Sequence, residues 1–259
     1  MLEELGKYLR WKPGWYVLLL VSIYALVVTY AWQRSERRLR EVAAGAEVVA
    51  EPQTGVEPTP VQTGPTEAQL AYVLPLPGAC LPKDPDHLPG APRPYRKGVS
   101  YGFVFVDGDA CVPVVYGEGV VAANAGEVIK ADHDWTPPTL AEFERLVAAV
   151  AEGAGPEQMD RLRGREVWIR HPDGRVSVYA HLSQVAPWIE VGTQVLRGDW
   201  IGNVGNSGTR AEAEGRKNGA RLLFELWEGE VGQSRFFGEG MSSEEILKEA
   251  RSFFVHLPE

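Results

Sequence analysis

Nineteen consecutive residues, Gly14 to Trp32 (GWYVLLLVSIYALVVTYAW), carry no charge, and no other stretch restricts the fold of this chain so tightly. At 1.5 Å per residue, a helix of that length spans the roughly 30 Å hydrocarbon core of a bilayer. Trp15, Tyr16, Tyr30 and Trp32 stand where interfacial aromatics belong. A cleaved leader needs a small-residue site just after its apolar run; TYAWQRSERR offers no such site, and Ala44-Gly45-Ala46 lies too far beyond the run. The expectation is therefore an uncleaved transmembrane helix at 14–32 behind a short tail, 1–13. Lys7, Arg10 and Lys12 on one side balance Arg34, Arg37, Arg38 and Arg40 on the other, so charge counting does not orient it.

Residues 33–72 read as a juxtamembrane segment and a stalk. From 43 to 72 the chain is rich in Pro, Thr, Gly, Ala and Glu, with no sustained apolar period. About thirty such residues reach roughly 30 Å as a flexible coil. What remains is enough for one folded domain, expected at 73–240. The formal charge of −9 leaves no basic surface of the kind that phosphate backbones require, so nucleic acid is excluded as a partner.

Within that domain the pattern is mainly β. Val167, Ile169, Val176 and Val178 alternate on either side of Pro172-Asp173-Gly174, a hairpin signal. Further short strands lie in VSYGFVFVDGDA, GVVAANAGEVIKA, TQVLRGDWIGNVGNSG and RLLFELWEG. A helical insertion is expected at 137–163, where Leu140, Phe143, Leu146, Val147 and Val150 recur at helical spacing behind two prolines; such a stripe ordinarily packs into a core. Ser242 and Glu245 form a capping-box pattern, which predicts a helix within 241–259. Cys80 and Cys111 have no CxxC partner, so thiolate zinc sites are excluded. In an oxidising compartment, closing their loop would contribute roughly 3 to 4 kcal/mol; in a reducing one they stand as buried thiols.

Four pieces, in this order, resemble the LytM/lysostaphin-type zinc endopeptidases, the duplicated hybrid motif fold. They are Gly117 to Val128, the Val178-Tyr179-Ala180-His181-Leu182-Ser183 strand end, the glycine-spaced Val191 to Gly208, and Leu222 to Glu225. The resemblance covers about residues 75 to 230. It implies an antiparallel β-sheet or sandwich carrying the helical insertion, and enzymes of this type cut peptide cross-bridges in bacterial walls. They hold zinc with an HxGxD strand and an HxH strand.

Here the first of those strands reads Ser100-Tyr101-Gly102-Phe103-Val104 and the second Arg221-Leu222-Leu223-Phe224-Glu225. Ser100, Val104 and Leu223 occupy the three ligand positions, and a valine or leucine offers a cation no lone pair. Zinc is expected to be absent and the chain to be an inactive homologue, with His181 as a vestige of the catalytic set. The former active-site groove is the expected binding surface, formed by Ser100, Tyr101, Val104, Tyr179, His181, Arg221, Leu223 and Glu225. Arg221, with Arg96 and Lys97, would make it positive, unless Arg221 simply pairs with Glu225. His87, His133, His171 and His256 form no HxH or HExxH, and Asp132-His133-Asp134 reads as a solvated loop.

With the apolar run as anchor, the short N-terminal tail and the resemblance to exported proteins lead to the expectation of a single-pass bacterial membrane protein with its C-terminal domain outside the cell. Its partner would be an envelope protein such as an amidase, or peptidoglycan, and it would regulate or scaffold wall remodelling. Two other readings stay open: an active metalloendopeptidase with non-standard ligands, and a structural envelope tether using the insertion at 137–163.

Overall fold

A computed structural model describes residues 71–255, which belong to the unit Gln62–Glu259. No helix among the described residues is long and apolar enough to cross a membrane. The expectations of a transmembrane helix, of membrane attachment through it and of a single-pass extracytoplasmic location are corrected on that finding and are not carried forward. The segment 14–32 itself, the tail 1–13 and the stalk as far as residue 70 lie outside the described residues, as does His256.

Eleven described strands are joined in antiparallel pairs. A six-stranded sheet runs in the order β3 (Gly102–Val106), β11 (Arg221–Trp227), β7 (Val176–Ala180), β6 (Val167–Arg170), β5 (Gly126–Ala131) and β9 (Gln194–Val195). A second sheet has β4 (Gly119–Val121), β10 (Trp200–Val204) and β8 (Leu182–Val185), and a short arm pairs β1 (Pro92–Arg93) with β2 (Gly98–Val99). The β6–β7 hairpin predicted from alternation is present, Val167 facing Tyr179 and Arg170 facing Val176.

Strand alternation decides which side chains enter the core. Phe103 and Phe105 of β3, Leu222, Phe224 and Leu226 of β11, and Tyr179 of β7 share one core with Val120, Leu182, Ile201 and Val204 of the smaller sheet. The intervening positions, Val104, Leu223, Glu225, Val178 and Ala180, belong to the other face, where Val178, Ala180, Trp227 and Phe236 form a second cluster.

The C-terminal helix, α4 (Ser243–Phe253), which follows the single-turn α3 (Arg210–Ala213), begins with the predicted capping box, the Ser242 hydroxyl accepting from the Glu245 amide. Its buried Ile246 and Ala250, with Phe254 just beyond its end, complete the first core. Tyr72, read from the sequence as the end of the stalk, is fully buried in the same core and bridges Phe254. The folded unit thus includes both the stalk boundary and the helix that sequence reading set apart. Cys80 and Cys111 are joined as a disulfide, which ties the Pro77–Pro82 segment to the loop after β3.

The insertion forms two helices, α1 (Leu140–Ala149) and α2 (Pro156–Arg163). Thr139 caps α1 through a reciprocal bond with Glu142, and Pro156 opens α2 where a missing N–H costs nothing. No α1 side chain is buried. Val150, just past its end, joins Met159 and Leu162 in a small cluster against which the half-buried Leu146 and Tyr101 pack. The apolar stripe therefore does not serve the main core; its half-buried face, with Phe143 and Val147, lines a cavity.

Candidate functional site

The register of β3 on β11 sets the floor of that cavity. Val104 lies opposite Leu223 and Gly102 opposite Glu225, so two of the positions that the resemblance assigns to zinc ligands meet across the ladder as hydrocarbon. At the third, the Ser100 hydroxyl donates to the Gly102 carbonyl oxygen at 3.0 Å. No group of three or more His, Cys, Asp or Glu residues among the described residues could hold a metal ion. The residues present do not fit zinc: the donor atoms are missing where a tetrahedral site needs them, and guanidinium groups line the same space.

Seven of the eight residues expected in the groove line one cavity of about 600 Å³: Ser100, Tyr101, Val104, His181, Arg221, Leu223 and Glu225. Tyr179 does not. It sits on β7 one residue from Ala180, and its parity sends it into the main core, where its hydroxyl accepts from the Ala123 amide at 2.7 Å and from Ser177 at 3.0 Å. Burial pushes that hydroxyl up to about 12, so it remains a neutral structural group.

The largest feature missed from sequence is Arg163, the last residue of α2. It is 4% exposed and grips the wholly buried Glu225 with two parallel bonds, Nε to Oε1 at 3.0 Å and Nη2 to Oε2 at 2.8 Å. The Trp227 indole donates to the same carboxylate at 2.8 Å. Glu225 is thereby fully engaged, and Arg221, the partner considered for it from sequence, instead donates Nε to the Gly219 carbonyl at 3.2 Å. Nothing local in the sequence marks Arg163, because its partner lies 62 positions away.

His181 has φ of 63°, a backbone region that costs a non-glycine residue energy and is often found at functional sites. Its amide donates to the Arg163 carbonyl at 2.8 Å, and its Nδ1 lies 2.7 Å from the Ser207 carbonyl. That contact requires Nδ1–H and leaves Nε2 as an acceptor when the ring is neutral. Burial, and then the charges of Arg221 and Arg163, push its pKa down to about 4 despite the Ser207 bond, so the ring is neutral at pH 7.

Unfolded histidine titrates near 6.5. As pH falls from about 6.5 to about 4 the unfolded chain takes up a proton that the folded chain refuses, and stability is lost across that window. The full shift corresponds to about 3 kcal/mol, trimmed to about 2 by partial exposure. His181→Asn, chosen because asparagine tolerates the left-handed region, should therefore lose about 2 kcal/mol less than the wild type between pH 7 and pH 4. Urea unfolding at stepped pH measures this, and parallel curves for the two proteins would refute it.

Arg96 and Arg93 come from the β1–β2 arm. Arg96 is 5% exposed, donates to the Val99 carbonyl, and stacks its guanidinium 5.0 Å from the Tyr101 ring centroid. Gly98 makes this fit possible, since a Cβ there would lie 2.6 Å from Arg96 Nη1. Lys97, expected beside it, is exposed and pairs with Glu152 at the surface. The remaining sequence candidates are satisfied structurally. Asp109 pairs with His87 at 2.7 Å and caps two amides, and in the Asp132-His133-Asp134 loop His133 contacts the Ile189 carbonyl at 2.7 Å.

Residues 111–234 match the family model of Peptidase family M23. The match includes β11 and begins after β3, so the Ser100–Val104 strand lies outside it. None of the curated proteins matches the chain. Among solved structures, a zinc-containing peptidase from Vibrio cholerae is 18% identical, with 60% of this chain and 36% of that one covered and a TM-score of 0.35. The catalytic domain of lysostaphin from Staphylococcus simulans is 19% identical, with 62% and 88% covered and a TM-score of 0.37. CbpA from L. salivarius REN is 15% identical, with 70% and 97% covered and a TM-score of 0.39. The chain spans about a third of the length of the Vibrio cholerae peptidase it matches. Residues 111–234 are thus similar to the M23 peptidase family within a mainly β fold, and no metal-binding triad stands among the described residues.

Proposed function

We propose that this unit is a LytM-like pseudo-peptidase domain that holds a peptide without cutting it. The observation carrying this reading is the exchange at the β3–β11 pair: Val104 faces Leu223 on the floor of a cavity that is otherwise built. About 600 Å³ lies within the range of ligand pockets. The M23 match supports a peptide as the occupant, and the loss of electron-pair donors supports binding without hydrolysis. His181 keeps the position of a catalytic histidine, but its side-chain contact is the Ser207 carbonyl, which orients the ring rather than activating water.

The test uses the full chain equilibrated with zinc, dialysed and assayed for metal and for hydrolysis of short peptides, alongside peptide binding by calorimetry. Substoichiometric zinc, no cleavage and saturable binding are expected. Leu223→Trp, which fills the cavity floor, should weaken binding by about tenfold or more. One zinc per chain together with chelator-sensitive cleavage would establish the active-enzyme reading instead.

A further inference from the structure

The cavity is cationic in a chain whose formal charge is −9. Five arginines line it, Arg93, Arg96, Arg163, Arg210 and Arg221, against two carboxylates, Asp86 and Glu225. Two of the five are neutralised: Arg163 by Glu225 at 2.8 Å, and Arg210 by Glu144 and Glu214 at 3.1 and 3.0 Å. The other three have no carboxylate within ion-pair distance among the described residues. Arg93 donates to the carbonyls of Asp86 and Pro92 at 2.9 and 3.0 Å, and Arg221 to that of Gly219. Arg96 Nε, buried, has no hydrogen-bond partner at all among the described residues.

Arg96 is buried and Arg93 and Arg221 are half-buried, and withdrawing guanidinium groups from water with neutral partners alone is costly unless something else completes them. Burial lowers the pKa of Arg93, and Arg96 and Arg221 lower it further, while Tyr95 and Asp86 act in the opposite direction. Arg93 is thus close enough to both other arginines to be repelled by them. Arg221 is lowered by burial, with Tyr95 acting in the opposite direction. Beside these groups the insertion contributes an apolar set, Phe143, Val147, Met159 and Leu162.

We infer that the cavity is a carboxylate site, in which Arg93, Arg96 and Arg221 hold the anionic end of a peptide while its last side chain rests on Phe143, Val147 and Met159. This rests on the peptide-groove reading and adds the recognised group. The planar fork of arginine matches a carboxylate with two parallel bonds, and it would satisfy the orphaned Arg96 Nε. Where the enzymes that this chain resembles place a cation in the groove, this chain presents cations of its own and selects an anion.

The experiment titrates the full chain with a panel of tripeptides Ala-Ala-X, X being an apolar residue, each as free acid and as C-terminal amide, with inorganic phosphate as a separate probe. The acids should bind about ten- to a hundredfold more tightly than their amides, as expected for charge-assisted hydrogen bonds. Arg221→Gln should erase most of that difference, and Arg221→Lys should restore part of it. Arg93→Gln, on the exposed arm, is the second variant in case the first misfolds, and thermal melts check both. Equal binding of acids and amides would overturn the carboxylate assignment and leave the peptide groove standing. Binding of neither form would overturn both. Arginine-dependent capture of phosphate without the acid peptides would overturn the peptide as ligand.

Discussion

Replacing Arg163 with alanine should destabilise the folded unit by about 4 kcal/mol, because it leaves the carboxylate of Glu225 buried and without its countercharge. Glu225 is 0% exposed and has the Trp227 indole as its only other donor in the structure described. Burial alone would lower the pKa of Arg163, yet the charge of Glu225 and then Glu166 outweigh it and hold the guanidinium protonated. A loss of that size lowers the melting temperature by about 10 °C in a unit of this length. The double variant Arg163→Met with Glu225→Leu should recover more than half of the loss, since removing both charges also removes the desolvation cost. Thermal melts of the two singles and the double close the cycle; a single variant that melts like the wild type would show the pair to be solvated and weak. The pair also fixes the end of α2 against β11, so hydrogen exchange in α2 should quicken in the single variant while the C-terminal helix stays protected.

Gly102→Ala should cost about 3 kcal/mol or more, by a different route. At this position β3 runs so close to β11 that a Cβ would lie 2.0 Å from the Phe224 carbonyl oxygen and 2.6 Å from its carbon. Both atoms are backbone and cannot rotate aside, so the ladder must open. Gly102 pairs with Glu225, and opening it there displaces the carboxylate that Arg163 holds and the Val104–Leu223 floor beyond it. Urea unfolding should show a lower midpoint with an unchanged slope, together with loss of peptide binding. An alanine variant that keeps both its stability and its ligand would mean that the strands are not packed this closely.

The ligand loss could be read directly because motif spacing and strand alternation are both local. With Ser100–Val104 as the first strand and Arg221–Glu225 as the last, Val104 and Leu223 follow by counting. Tyr179 was misplaced for the complementary reason: a strand end recognised as a block does not say which of its alternate residues face the groove, and a one-residue parity error moves a side chain through the sheet. The α1 stripe shows a second limit. Helical spacing identified Phe143, Leu146, Val147 and Val150 as one face, but only the docking of the insertion made Phe143 and Val147 part of the cavity wall. The apolar run at 14–32 illustrates a third, since no described helix can cross a membrane and that segment lies outside the described residues.

What the sequence determined by itself is what depends on neighbours along the chain: the strands and their hairpin, the caps of α1 and α4, and the absence of electron-pair donors at Val104 and Leu223. What only the tertiary structure decided is what depends on distant groups meeting out of water. The Arg163–Glu225 clasp, the burial of Tyr72 against the C-terminal helix and the gathering of Arg93, Arg96 and Arg221 at one cavity join residues tens to more than a hundred positions apart. A charge is a surface ornament or a buried anchor according to what covers it, and burial is a property of the assembled chain rather than of any stretch of it.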